Sequence, residues 1–164
     1  MLRTYFHMTL LPLLVISSGA GCATAPSNDQ IKCQGEIEHI IHGIRSSAAP
    51  DASDDMAENL ARYLHYHPQC GNQEKVVDDI TRLLSSPDDS VRWGAAIALA
   101  NIGPPAVHAV PTLKSALKES DVQIDRYLQT TGETVLPMRY SGQAIREALR
   151  KITGEQIPDY NESH

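Results

Sequence analysis

The sequence has few aromatic residues: they make up 5% of the chain, with one Trp and one Phe. Alternating runs of β-branched residues are also nearly absent, apart from ETVLP at 133–137. The interior must therefore be built from Ala, Leu, Ile and Val, which suits closely packed helices rather than sheets. At 164 residues, the chain is long enough for one domain with a modest core.

Runs of Lys and Arg are absent, and 14 basic residues stand against 20 acidic ones, a net charge of −6. Because nucleic-acid binding needs a basic patch to neutralise phosphates, we expect no nucleic acid partner. The sequence also lacks a glycine-rich phosphate loop, a GxSxG motif and an HExxH or CxxC metal motif. We therefore predict no catalytic residues, no metal ligands and no cofactor, and interpret the acidic pairs as caps and solvated faces.

Residues 1–21 are predicted to be an export signal rather than part of the fold. Arg3 is followed by the apolar run TLLPLLVIS, too short to span a membrane, and then by SSGAGC, which ends at Cys22. This arrangement resembles a bacterial lipoprotein signal, in which the cysteine receives lipid and becomes the mature N-terminus. The alternative is an ordinary secretory signal that is cut near Ala20.

The lipoprotein resemblance implies a location in the bacterial cell envelope. Ala23 follows the cysteine, which resembles sorting to the outer membrane, with the protein facing the periplasm. The membrane would then be contacted through the lipid anchor. Residues 22–32, CATAPSNDQIK, are mostly small and polar, so we expect a flexible tether between membrane and domain.

The three cysteines divide into one lipidation candidate and one pair. If Cys22 takes lipid, Cys33 and Cys70 remain. An exported protein lies in an oxidising compartment where a disulfide is the default state of such a pair. We therefore predict a Cys33–Cys70 disulfide.

The histidines suggest the main alternative function, which is metal binding. HIIH places His39 and His42 at helical i, i+3 spacing, and HYHPQC offers His65, His67 and Cys70. These residue types can bind a transition metal, but no zinc-type spacing accompanies them. Surface histidines beside a disulfide are the preferred interpretation, and a metal-handling periplasmic protein or accessory enzyme is the alternative.

The stretch DDSVRWGAAIALANIGPPA, residues 88–106, predicts a helix with apolar residues on two faces. A helix that is apolar nearly all round is buried on most sides, so we expect it to lie between other helices. Ser90 is the expected N-cap, and Gly103 is the expected end. Trp93 is expected to pack against a neighbouring repeat, with an exposed recognition anchor as the alternative. A helical wheel of this stretch places Val91, Ala95, Ala98, Leu99 and Ile102 on one side and Trp93, Ile97 and Ala100 nearly opposite.

The core pattern of this helix recurs on both sides of it. It matches residues 56–67 after a shift of about 35 residues. It matches residues 141–152 after a shift of about 50 residues. Each copy follows another apolar-periodic segment, so the sequence predicts three helix pairs in a domain at 33–157. Residues 158–164 are expected to be a polar tail.

Residues 83–121 resemble HEAT repeats of the short bacterial kind that is also found in phycobilin lyases. The sequence of this segment is LLSSPDDSVRWGAAIALANIGPPAVHAVPTLKSALKESD. The family pattern has an acidic turn, Val-Arg, an Ala-rich helix that ends in Ile-Gly, and a tolerated proline in the next helix. The resemblance implies an all-α fold, a short right-handed α-solenoid of about three helix pairs. It also implies a structural ion pair between the arginine and the acidic turn. The matching residues are Asp89, Arg92, Leu99, Gly103 and Pro111.

The third repeat departs from that pattern at Gln123, where Arg is expected. The segment QIDRYLQTTGETVLPMRY, 123–140, then intervenes before the next helix. Long loops in small domains are usually functional or disordered. We expect a binding loop here, with a mobile excursion as the alternative, because the segment contains residue types that are enriched at interfaces. The candidate binding residues are Arg126, Tyr127, Arg139 and Tyr140.

These observations favour a protein–protein interaction module over an enzyme. The predicted protein is a lipid-anchored scaffold or adaptor that binds an unidentified envelope protein. An inhibitor or immunity protein is a special case that suits the small size and the acidity.

Overall fold

A computed structural model describes residues 27–46, 50–72, 74–132 and 140–160, without the side chains of 50–54. Across these ranges the chain forms six α-helices and no strand. Short 3-10 turns follow α2 and α3 and precede α5. The helices are α1 (Asn28–Ser46), α2 (Pro50–Tyr66), α3 (Glu74–Thr81), α4 (Asp89–Ile102), α5 (Val110–Thr131) and α6 (Ser141–Thr153).

The helices form three consecutive pairs, and α4 lies between α2 and α6. Leu99 is fully buried on one side of α4, while Trp93 and Ile97 are half-buried and pack against the same core. The two apolar faces of α4 are thereby explained, because each face meets a neighbouring pair. The all-α solenoid predicted from the sequence is confirmed.

Small residues allow α2 and α4 to approach closely. A Cβ atom placed on Gly94 would lie 2.5 Å from the Ala57 Cβ atom and 2.9 Å from the Ala57 carbonyl oxygen. Nearby, the side-chain amide of Asn101 donates a hydrogen bond of 2.8 Å to the backbone oxygen of Ala61. Glycine at position 94 therefore sets the spacing between the first and second repeats.

The ends of α4 follow ordinary capping rules. The Asp88 side chain accepts a hydrogen bond of 3.0 Å from the Ser90 backbone N–H, so Asp88 is the N-cap and the expectation for Ser90 is wrong. Gly103 ends the helix with a φ of 71°, which favours glycine. Pro111 lies in the first turn of α5, where its missing N–H removes no helical hydrogen bond.

A disulfide connects α1 to the turn after α2. The sulfur atoms of Cys33 and Cys70 are 2.05 Å apart, and both residues are buried. This is the pairing predicted from the sequence. It ties the first helix to the rest of the domain across 37 positions of sequence.

The N-terminal boundary differs from the prediction. Residues 28–32, assigned above to the tether, belong to α1. The reason is a capping box: the Ser27 backbone N–H donates to the Gln30 side chain at 2.8 Å, and the Gln30 N–H donates to the Ser27 hydroxyl at 3.3 Å. Residues 1–26, with Cys22, lie outside the described residues. In the part of the chain that is described, no helix is both long and apolar enough to cross a membrane.

Candidate functional site

The first half of the predicted binding loop is helical. Residues 123–131 continue α5, which is 22 residues long against 13 for its partner α6. Ile124 is buried and Leu128 is half-buried, and both pack in a small cluster with Tyr140 and Tyr160. These residues continue the apolar period of α5, so the sequence carried a signal for this helix. Residues 133–139, with Arg139, lie outside the described residues.

The outward side of the same helical segment is exposed. Val122 is 49% exposed, Tyr127 is 38% exposed, and Arg126 lies exposed beside them. We call these three residues the α5 stripe. It brings two of the predicted binding residues, Arg126 and Tyr127, and the apolar Val122 onto the exposed half of one helix.

Tyr140 is buried rather than exposed. Its ring is 4% exposed, and its hydroxyl donates a hydrogen bond to Asp121. Burial, reinforced by the Asp121 carboxylate, raises the pKa of the Tyr140 hydroxyl well above its ordinary value. A Cβ atom on Gly142 would lie 2.3 Å from the Tyr140 ring, so the ring fills the space left by glycine. The expectation that Tyr140 is an exposed binding residue is therefore wrong, because its side chain belongs to the core.

Asp121 also pairs with a buried arginine. The Arg146 guanidinium donates two hydrogen bonds to the Asp121 carboxylate, at 3.0 and 2.8 Å, and is 3% exposed. A bidentate pair of this kind fixes both side chains. Burial alone lowers the pKa of Arg146, but the hydrogen bonds and the charge of Asp121, together with Tyr140, outweigh it, and the net pKa is raised. Periodicity in the sequence does not predict this pair, because its members are 25 positions apart.

A second buried arginine connects the second and third repeats. Arg92 donates to Asp89 at 2.7 Å, to the backbone oxygen of Ser86 at 2.6 Å and to the side chain of Gln123 at 2.7 Å. The predicted pairing of Arg92 with the acidic turn is therefore made by Asp89. Gln123, which departs from the family pattern, supplies a neutral acceptor for an arginine of the preceding repeat.

The segment after α6 lies against the third repeat, and we call residues 155–160 the strap. Arg146 donates from Nε to the backbone oxygen of Pro158 at 2.9 Å. Arg150 donates from Nε to the backbone oxygen of Ile157 at 2.9 Å. The hydroxyl of Tyr160 donates to Asp125. The predicted polar tail at 158–164 is therefore wrong for 158–160, which pack on the domain, while 161–164 lie outside the described residues.

The histidines do not gather into one site. His39, His42, His65 and His67 are exposed, and the His67 ring lies 4.6 Å from the Tyr63 ring. Cys70 is in the disulfide and has no free thiol to offer. Among the residues that the structure describes, no three His, Cys, Asp or Glu side chains come together in a way that could hold a metal ion.

Comparison with known families gives one match. The HEAT repeats family model matches residues 37–130, which is more than half of the chain. No curated protein and no solved structure matches the chain. The matched range includes Cys70 of the disulfide, the α2–α4 contact and the Arg92 pair described above, while Cys33 precedes it. The three stacked helix pairs agree with this match, and the chain belongs to the HEAT repeats family.

Proposed function

We propose that the chain is a non-enzymatic protein-interaction module held at the bacterial envelope by lipid on Cys22. HEAT repeats commonly mediate contacts between proteins, which supports the general role. The apolar run followed by SSGAGC supports the anchor. A specialised role as an inhibitor or immunity protein is supported only by the small size and by the net charge of −6.

The observation that carries the proposal is the α5 stripe. Val122 and Tyr127 leave apolar area in solvent, and Arg126 adds a charged, directional donor between them. Tyr and Arg are enriched among the residues that dominate binding energies at interfaces. The inner face of the same segment is packed, so the stripe is held on an ordered helix. A partner would therefore bind it with little loss of conformational entropy.

Site-specific photo-crosslinking tests this surface. A photoreactive phenylalanine analogue replaces Tyr127 in one variant and Tyr66 in the control. Tyr66 is also an exposed tyrosine, but it lies at the end of α2 and outside the α5 stripe. We expect an adduct with an envelope protein from position 127 and none from position 66. Equal adducts from both positions, or none from either, would contradict a partner at the α5 stripe.

The anchor is tested separately. Cys22→Ser is expected to move the protein out of the membrane fraction and to abolish incorporation of labelled palmitate. Palmitate incorporation into the wild type and its loss in the variant would support lipidation. A wild type that takes up no palmitate, together with a Cys22→Ser variant that stays with membranes, would refute the anchor and leave the crosslinking result valid.

A further inference from the structure

The strap is bound by contacts to its backbone. Arg150 donates to the carbonyl oxygen of Ile157 from Nε at 2.9 Å and from Nη2 at 2.5 Å. Arg146 donates from Nε to the carbonyl oxygen of Pro158 at 2.9 Å. The two arginines lie one helical turn apart on α6, so they meet successive carbonyls of an extended segment. Any extended peptide offers such carbonyls.

Two side chains of the strap add selectivity. The Asp159 carboxylate accepts a hydrogen bond of 2.5 Å from Arg150. The hydroxyl of Tyr160 donates to Asp125, and its ring lies edge-on to the Tyr140 ring with centroids 6.0 Å apart. The site therefore suits a carboxylate followed directly by a tyrosine.

Part of the site is held in place by contacts that do not involve the strap. Asp121 fixes the Arg146 guanidinium through both terminal nitrogens, which leaves Nε directed at the Pro158 carbonyl oxygen. The same Asp121 fixes the Tyr140 hydroxyl. Arg150 also lies 3.9 Å from Glu147 on its own helix. A preorganised site of this kind binds with a smaller entropic cost than one that must form on binding.

The strap begins directly after Gly154, the glycine that ends α6. Gly154 ends α6 with a φ of 74°, a conformation that favours glycine. After it, Glu155 contacts Lys114 at 3.6 Å, and both of these side chains are more than half exposed. Exposed ion pairs contribute little to stability, so the strap is retained mainly by the contacts at 157–160.

We propose that the groove formed by Arg146, Arg150, Asp125 and Tyr140 is a peptide-binding site that the strap occupies in cis. Its external ligand is an extended segment of another protein in which an acidic residue directly precedes a tyrosine. The strap has this same chemistry and competes with the ligand, so the resting protein is autoinhibited. This site is separate from the α5 stripe and does not depend on it.

Competition in cis determines how the site would behave. A tethered segment acts at an effective concentration in the millimolar range. The apparent affinity for an external peptide falls by the fraction of molecules in which the groove is open. Weakening the strap should therefore strengthen binding of an added peptide without any change in the groove itself.

The test uses a fluorescent peptide amide with the strap sequence, GEQIPDY, and the full chain. A variant with Asp159→Ala and Tyr160→Ala releases the strap. We expect it to bind the peptide at least about tenfold more tightly than the wild type does, because the open fraction rises. A folded variant, with unchanged helical circular dichroism, that binds no more tightly than the wild type would overturn the proposal.

Matched variants locate the binding. In the released background, Arg150→Ala should abolish peptide binding, while Lys151→Ala should preserve it. Both changes remove one positive charge from the last turn of α6, but Lys151 contacts Glu147 and not the strap. A peptide with Tyr→Phe should bind more weakly, since the hydrogen bond to Asp125 is lost. Equal losses from Arg150→Ala and Lys151→Ala would mean that only net charge matters and would refute the site.

A measurement on the wild type covers the case in which the released variant does not fold. Unlabelled peptide at about 1 mM, near the effective concentration of a tethered segment, is added to the ¹⁵N-labelled full chain. Displacement should shift the amide signals of Asp159 and Tyr160 while those of α1 stay in place. Unmoved strap signals at that concentration would overturn the proposal.

Discussion

Asp89 at the start of α4 accepts two hydrogen bonds from Ser141 at the start of α6. The Ser141 backbone N–H donates at 3.1 Å and its hydroxyl donates at 2.5 Å. The first N–H groups of a helix have no partner within the helix, so a carboxylate from the preceding repeat satisfies one of them. Asp89 thus connects two repeats while it also holds Arg92.

Asp89→Ala should lower the free energy of unfolding by about 2 kcal/mol, because charge-assisted hydrogen bonds are lost. Among the described residues, the Nε atom of Arg92 has no hydrogen-bond partner, so the loss of Asp89 would leave a second nitrogen of this buried side chain with one acceptor fewer. Chemical denaturation measures the change. The control is Asp88→Asn, which removes a charge from the same turn but keeps an N-cap, and it should change stability by less than about 0.5 kcal/mol. Equal effects of the two variants would argue against the inter-repeat role of Asp89.

Two glycine substitutions should change the stability of the protein in opposite directions. Gly94→Ala places a methyl group against the Ala57 backbone and should destabilise the protein by about 1–3 kcal/mol through overpacking. Gly35→Ala, in α1, meets no atom within 4 Å and should stabilise it by about 0.5–1 kcal/mol through helix propensity. Thermal melts of the two variants provide the comparison. If Gly94→Ala is also stabilising, α2 and α4 do not approach each other as closely as described.

Leu99→Ala should destabilise the protein by about 2–5 kcal/mol, because Leu99 is fully buried on α4. Val107→Ala is the control, since Val107 is 60% exposed and surface changes are usually within about 0.5 kcal/mol. Equilibrium unfolding in urea measures both. A small effect at Leu99 would mean that α4 is rotated from the orientation described.

Mass spectrometry of unreduced peptides should show Cys33 joined to Cys70. Replacing both by Ser should destabilise the protein by about 4 kcal/mol on the chain-entropy estimate, because a long loop is released in the unfolded state. The wild type under reducing conditions should show a matching fall in thermal midpoint. Two free thiols in protein recovered from an oxidising compartment would refute the pairing.

Stability should fall at alkaline pH because of Tyr160. Its hydrogen bond to Asp125, together with burial, raises the pKa of the hydroxyl from 10.0 to about 12. The folded state holds this proton more tightly, so the stabilisation is complete below pH 10 and is lost as the pH rises towards 12. Unfolding free energies between pH 9 and 11.5 should decline more steeply for the wild type than for Tyr160→Phe. Identical slopes would exclude this linkage.

Local patterns in the sequence are sufficient to predict the stack of helix pairs. The apolar period of α4 predicts its two buried faces, and the acidic turn before α4 predicts the partner of Arg92. The capping box at Ser27 and Gln30 is also a local pattern, although the small and polar composition of residues 22–32 predicts a tether there. In each case the information lies within one or two helical turns, where spacing and capping rules apply.

The C-terminal cluster could not be predicted in the same way. Asp121 and Arg146 are 25 positions apart, and Asp125 and Tyr160 are 35 positions apart. No periodicity connects such residues, and only the folded arrangement of α5, α6 and the strap brings them together. The sequence consequently predicts a surface position for Tyr140, since its polar hydroxyl does not reveal a buried acceptor.

The two arginines of α6 also distinguish its outer face from that of α4. By the fifty-residue shift, Arg146 and Arg150 correspond to Ala96 and Ala100 on α4, which are buried alanines. On the helical wheel those alanines point away from Gly94 and α2, towards the side where the next repeat lies. On α6 the strap covers these two positions, and its backbone carbonyls accept hydrogen bonds from both guanidinium groups. Within the described residues, the strap therefore caps the third repeat where α4 is covered by a helix.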